Sequence, residues 1–306
     1  MLKLRDVRIS FPSEEGVLVP VDTVDLDVNR NETFTIIGES GCGKSLIANS
    51  ILGLLPKDAQ VSGRIYLEDD DLLTLTEKAL KRIRGRRVGM VFQNPSSSLN
   101  PVFTMRSQLA EIMKYSGKSA TINKMTEITK SVGIDDPIRR LAQYPHQLSG
   151  GFKQRFAVAF GTASDPDMLI ADEPTTGLDI TIKIQLIEML AQLHRERSIL
   201  LITHDLDVAY TLSDRIAVMY AGEIVEIASA SAFFSRQFHP YARSLMDSHP
   251  SRDMKPIPGT APHISQKVEG CRFNDRCEYG HACCCNKHPE LVQVDVDRFV
   301  RCHAYA

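Results

Sequence analysis

Residues Gly38-Glu39-Ser40-Gly41-Cys42-Gly43-Lys44-Ser45 match the phosphate-loop pattern G-x-x-x-x-G-K-[ST]. Glycines let the backbone bend so that successive amides face one group of phosphate oxygens, and a helix start adds partial positive charge. Gly38, Ser40, Gly41, Cys42 and Gly43 are therefore candidate phosphate-binding positions. Lys44 is placed to reach the β- and γ-phosphates of a nucleotide, and the Ser45 hydroxyl to ligate Mg²⁺. A second chemical signal is the apolar run Met168-Leu169-Ile170-Ala171, which ends in Asp172-Glu173. An acid at a strand tip can hold Mg²⁺ through water. The next acid can then polarise the water that attacks a γ-phosphate.

Leu148-Ser149-Gly150-Gly151-Phe152-Lys153-Gln154-Arg155 leads into an apolar helix and is a second anion-binding helix start. Here the chain resembles the ABC ATPase family, whose signature loop reads LSGGQ. Gln93 after Val91-Phe92, Gly177-Leu178-Asp179 and Thr203-His204-Asp205 match that family's Q-, D- and H-loops, in order, over about residues 1 to 228. The resemblance implies catalytic roles for Glu173 and His204, and Mg²⁺ contacts for Ser45, Gln93 and Asp172. It also implies that Ser149, Gly150, Gly151 and Asp179 complete a nucleotide site shared with a partner. Two departures stand out: Phe152 replaces the usual glutamine, and Phe11 is the available aromatic for stacking on adenine.

The stretch Val91-Phe92-Gln93-Asn94-Pro95 and the later Tyr144-Pro145-His146-Gln147 resemble oligopeptide, dipeptide and nickel importers within that family. So do His239-Pro240-Tyr241 and Gly270-Cys271-Arg272-Phe273. The implied function is that of an ATP-hydrolysing motor subunit for peptides, nickel or a related small solute. The implied partners are a second ATPase subunit, usually a different chain in this subfamily, two transmembrane permease subunits and an extracytoplasmic solute-binding protein, with the chain peripheral on the cytoplasmic face of the membrane. Two rival readings are an ABC ATPase without a transport role, and a metal-dependent regulatory module with vestigial ATPase motifs.

The elements that must position these residues follow from periodicity. Val7, Ile9 and Phe11, and then Val24, Leu26 and Val28, alternate with polar residues as half-buried strands do. Phe34 to Ile37, Val88 to Phe92, Met168 to Ala171 and Ile199 to Thr203 are short apolar runs followed by helical patterns. A helix carrying Leu46, Ile47, Ile51 and Leu54 is expected after the phosphate loop. The fold class is α/β, a mostly parallel sheet wrapped by helices. The resemblance adds an antiparallel β subdomain. About residues 94 to 161 read as an inserted helical subdomain of a 1–228 cassette. Prolines at 240, 250, 256, 258 and 262 then mark a linker into a 229–306 extension.

Six of the seven cysteines crowd that extension. In a chain without an export signal, such a cluster reads as metal binding before disulfides. The resemblance aligns Cys271, Cys277, Cys284 and Cys302 with tail cysteines that can hold a [4Fe–4S] cluster. Zinc and unligated thiols are the alternatives, and Cys283 or Cys285 could replace Cys284 as third ligand. With 306 residues, a net charge of -2 and 24% charged residues, the chain reads as globular rather than as a nucleic-acid binder. Its apolar runs are far too short to span a bilayer.

Overall fold

The computed structural model describes residues 1–305 apart from 15, 195, 196, 251, 253 and 267. The strands, in chain order, are β1 (Leu2–Ser13), β2 (Gly16–Val28), β3 (Thr33–Ile37), β4 (Gln60–Leu67), β5 (Asp70–Asp71) and β6 (Val88–Val91). They continue as β7 (Met168–Asp172), β8 (Ser198–Thr203), β9 (Arg215–Tyr220), β10 (Glu223–Ser229), β11 (Val292–Asp295) and β12 (Arg298–Val300). Two compact units result: Met1–Asn29, Thr33–Thr74 and Thr203–Ala306 form the first, and Arg30–Glu32 with Leu75–Ile202 the second.

In the first unit, β2-β1-β4-β5 make an antiparallel sheet. Leu2, Leu4, Val7 and Ile9 are all buried, although a strict two-residue alternation would turn Val7 away from the face of Leu4. A register shift between Leu4 and Val7, with Asp6 at φ 49°, absorbs the extra residue and returns Val7 to the core. A second group runs β11-β12-β10-β9-β3, with β3 parallel to β9 and the other pairs antiparallel. The helix Lys44–Ile51 follows β3. It is shorter than its apolar pattern suggested: Gly53 at φ 59° turns the chain, so Leu54 lies beyond the helix and is exposed.

The chain after Ala228 folds back onto this unit. Helices Ala230–Ser235 and Pro240–Asp247 bring in Phe233 and Tyr241, which pack with Ile37, Ile216, Val218, Tyr220 and Phe273. The rings of Tyr220 and Tyr241 lie 4.5 Å apart, and Phe273 meets Tyr220 edge-on at 5.2 Å. Glu226 of β10, fully buried, accepts the amides of Phe238 (3.0 Å) and His239 (2.7 Å). Buried His239 is pushed down to about 3, by loss of water, and stays neutral. Its Nδ1 accepts the amide of Tyr241 and so caps the helix that follows. These buried rings and the buried carboxylate tie the segment to the sheet.

In the second unit β6, β7 and β8 pair in parallel, with Val88 opposite Met168 and Val91 opposite Ala171, and with Met168 opposite Ser198 and Asp172 opposite Ile202. Between β6 and β7 come helices Pro95–Ser98, Met105–Tyr115, Ile122–Ser131, Pro137–Leu141 and Gly150–Thr162. No strand interrupts them among the described residues. Met105, Leu109 and Met113 recur every four residues and are buried, while Thr104 and Thr121 cap their helices. Among the described residues, no helix is long and apolar enough to cross a membrane.

Removing the Phe273 ring would leave a void between Tyr220, Tyr241 and His239. Phe273→Ala should lower the unfolding free energy by about 3–5 kcal/mol, read from urea denaturation. A loss below about 1 kcal/mol would mean that the ring cluster does not hold the extension down.

Candidate functional site

In the first unit, the fully buried strand β3 delivers the chain into the loop 38–45. Gly38 comes so close to β9 that a Cβ there would lie 2.1 Å from the Met219 carbonyl oxygen. Gly43, at φ 108°, is the N-cap of the following helix, a conformation that favours glycine. Lys44 is 6% exposed, and its Nζ donates to the carbonyls of Gly38 (2.8 Å) and Glu39 (2.9 Å). The lysine thus folds back over its own loop. Ser45 is half-buried at the helix start. Cys42 is buried, and burial, offset in part by Lys44, pushes its thiol above the usual range.

A cavity of about 600 Å³ opens beside this loop. It is lined by Val17 and Val19 of β2, Ser40 to Cys42, Gly222 and the tail residues around His263. Phe11 sits across from Leu18 on the β1–β2 ladder, outside that lining. Thr203 Oγ1 accepts the amide of Asp205 (3.0 Å), and Asp205 caps the helix Leu206–Leu212. These bonds define a tight turn that leaves His204 exposed past the end of β8.

In the second unit, Asp172 and Glu173 end β7, both buried. Glu173 adopts a left-handed backbone at φ 49°, held by its amide to the carbonyl of Ile202 (2.8 Å). Thr176 Oγ1 donates to its carboxylate at 3.1 Å, a partner the motif reading did not include. Ser149 is the N-cap of the thirteen-residue helix Gly150–Thr162, yet its hydroxyl makes no capping bond. Ser149 and Gly150 are exposed, while Gly151 is buried against Ile182. Phe152, where the motif usually has glutamine, lies under the Arg140 guanidinium at 4.1 Å. Gln93 is exposed just past β6. Asp179 caps the helix Ile180–His194 through the amide of Ile182.

In the extension, Cys271, Cys277, Cys284 and Cys302 line one cavity of about 220 Å³, with Phe238, Phe273, Tyr279 and Tyr305. Cys283 and Cys285 are exposed and outside it. Cys284 Sγ lies 2.8 Å from His281 Nδ1. Burial pushes the Cys271 thiol up to about 11 and raises those of Cys277 and Cys302. Among the described residues, no group of three or more histidine, cysteine, aspartate or glutamate side chains could hold a metal ion.

A parallel β-sheet core with a phosphate loop between strand and helix, and two acids at a strand tip, defines a P-loop nucleoside triphosphatase. The family model described as ABC transporter matches residues 21–176, and one described as oligopeptide/dipeptide transporter, C-terminal region, matches 225–284. The chain is 40% identical over 99% of its length to a probable peptide ABC transporter ATP-binding protein, y4tR, of Sinorhizobium fredii, covering 94% of that protein. It is 41% identical to the dipeptide transport ATP-binding protein DppD of Bacillus subtilis, over 94% of this chain and 90% of that one. Its fold matches a dimeric structure of the ATP-binding cassette MJ0796 bound to ADP and Pi, with a TM-score of 0.68 and 27% identity, over 78% of this chain and all of that one. The chain belongs to the ABC transporter family, with the ATP-binding cassette fold and the ATPase activity of that family.

The burial of the tail thiols is testable by alkylation. A thiol with a pKa of about 11 carries roughly one thiolate per thousand molecules at pH 8. In metal-free protein at pH 8, iodoacetamide should label exposed Cys283 and Cys285 well before Cys271, as read by peptide mass spectrometry. Labelling of Cys271 should climb about tenfold per pH unit as pH rises toward 11. Equal rates at all three would contradict the buried arrangement.

Proposed function

We propose that this chain is the motor subunit of an importer of peptides, hydrolysing ATP in a site shared between two cassettes. The observation that carries this reading is the pairing of two half-sites in one chain. Lys44 is buried inside its own loop, whereas Ser149 stands at an exposed helix start with its hydroxyl unspent on capping. An anion-binding helix start that does not serve its own loop is suited to the nucleotide of a partner. The similar MJ0796 cassette is a dimer, which supports the same arrangement.

In this reading residues 1–228 form the cassette, with a helical subdomain at about 94–161, and 229–306 form the importer-type extension. Gly38, Ser40, Gly41, Cys42 and Gly43 cradle the phosphates through their amides, and Lys44 neutralises the β- and γ-oxygens. Ser45, Gln93 and Asp172 hold Mg²⁺. Glu173 polarises the attacking water while His204 holds the γ-phosphate. Ser149, Gly150, Gly151 and Asp179 close over the partner's ATP. Val102 and Phe103, exposed at 70% and 50% near the Q-loop, offer an apolar surface to a membrane subunit. Two permease subunits, a second, different ATPase and an extracytoplasmic solute-binding protein complete the assembly. The chain then sits peripherally at the cytoplasmic face of the membrane. The relatives' names favour peptides over nickel as cargo.

The four thiols lining one cavity suit a [4Fe–4S] cluster, which takes four thiolates. Zinc is the alternative occupant, accepting the same four thiolates in a tetrahedral site. The cluster would act as a structural staple. Cys284 is the third ligand in this reading, since Cys283 and Cys285 lie outside the cavity.

Glu173→Gln keeps the shape and removes the charge that polarises water. ATP binding should persist while turnover in the assembled transporter falls at least a hundredfold, about 2.7 kcal/mol of barrier. Hydrolysis near the wild-type rate would take Glu173 out of the catalytic role. Anaerobically purified chain should carry about four irons, lost in Cys277→Ser. One zinc per chain, or no metal with an ordered tail, would overturn the cluster.

A further inference from the structure

Glu39, the second residue of the phosphate loop, has every polar group of its backbone and side chain engaged. Its amide donates to Tyr241 Oη at 3.0 Å. Its carbonyl accepts from Lys44 Nζ at 2.9 Å. Its carboxylate receives a bidentate grip from Arg276, Nη1 to Oε2 at 3.1 Å and Nη2 to Oε1 at 3.0 Å. Two of these three partners lie outside the loop, and Arg276 directly precedes Cys277 in the cysteine-rich tail.

The Arg276 side chain is only 5% exposed, against 30% for Glu39. Its Nε donates to the Pro258 carbonyl (2.7 Å) and its Nη1 also to Tyr220 Oη (3.2 Å), and the guanidinium lies beside the rings of Tyr220 and Phe273. An exposed ion pair between flexible chains contributes little. Here one member is locked in place before the pair forms, so less entropy is lost. A buried guanidinium without its carboxylate would be left uncompensated. The pair therefore holds the Glu39 peptide in one orientation, and that peptide's carbonyl is one of the two that aim the Lys44 ammonium.

We propose that Arg276 is a positioning residue for the nucleotide: the tail grips the phosphate loop through Glu39 and presets Lys44 for the phosphates. Tail and nucleotide site are then one functional body. The proposal rests on reading residues 38–45 as the nucleotide site.

The test is Mg-ADP affinity of the full chain by calorimetry, for Glu39→Gln, Arg276→Gln and the double variant. Each single change should weaken binding about tenfold, and the double should be no weaker than the weaker single, because both remove one interaction. Arg276→Lys should recover only part of the loss, since an ammonium cannot make the bidentate grip. In the assembled transporter the KM for ATP should rise with kcat changed less than about twofold. Glu39→Gln is nearly isosteric at a partly exposed position, so it reports even if Arg276→Gln folds poorly. Single variants that bind ADP as wild type does, or losses that multiply in the double variant, would overturn the clamp. Lys44→Ala separates the two readings. If wild type binds ADP, Lys44→Ala does not, and Glu39→Gln matches wild type, the clamp alone falls. If wild type binds no better than Lys44→Ala, the nucleotide site itself is misplaced.

Discussion

A buried ammonium governs the shape of the phosphate loop. Lys44 is nearly inaccessible, and an unpaired buried charge is expensive, so its donors must find acceptors within the loop. They find the carbonyls of Gly38 and Glu39, and this draws the loop into a ring around the lysine. The ring also needs an outer wall. Gly38 lies against the Met219 carbonyl, and Gly222 donates its amide to the carbonyl of Cys42 at 3.1 Å. The turn between β9 and β10 thus braces the loop from behind, and the ring cluster of Tyr220, Tyr241 and Phe273 braces that turn.

Glu173 is one of several non-glycine residues held in the left-handed region. A glutamate in the left-handed region costs about 1–2 kcal/mol relative to ordinary backbone, and Glu173 adopts it at the end of a fully buried strand. The conformation persists because the β8 carbonyl of Ile202 holds its amide and Thr176 holds its carboxylate. The tight turn also stops β7 abruptly, so that Asp172 and Glu173 both sit at the strand tip instead of on opposite faces of a continuing strand.

The chemistry-bearing loops were legible because each couples a short motif to a change of local structure, strand to loop to helix, within a dozen residues. Ser149 at a helix start and Asp205 after a strand could be placed this way, and Asp179 has the side chain of a helix cap. Other features depend on distant partners and left no local trace. The slip in β1 that returns Val7 to the core follows from pairing with β2 and β4. Choosing Cys284 over its neighbours requires knowing which thiol faces the cavity. Glu39 looked like one of the variable positions of its motif, because its partner Arg276 is 237 residues away.

That separation has a consequence for how the molecule is made. At about 5–20 residues per second, a ribosome needs roughly 10–50 s to pass from Glu39 to Arg276. Throughout that interval the outer brace of the phosphate loop is incomplete, since Tyr241, Phe273 and Arg276 are made only near its end. The N-terminal strands can pair early, but the loop reaches its final shape only when the last part of the chain packs against β9 and β10. Maturation of this ATPase is thus delayed to the end of synthesis, and a ribosome that stalls before the tail releases a chain with its motif spelled out in full and its loop unbraced.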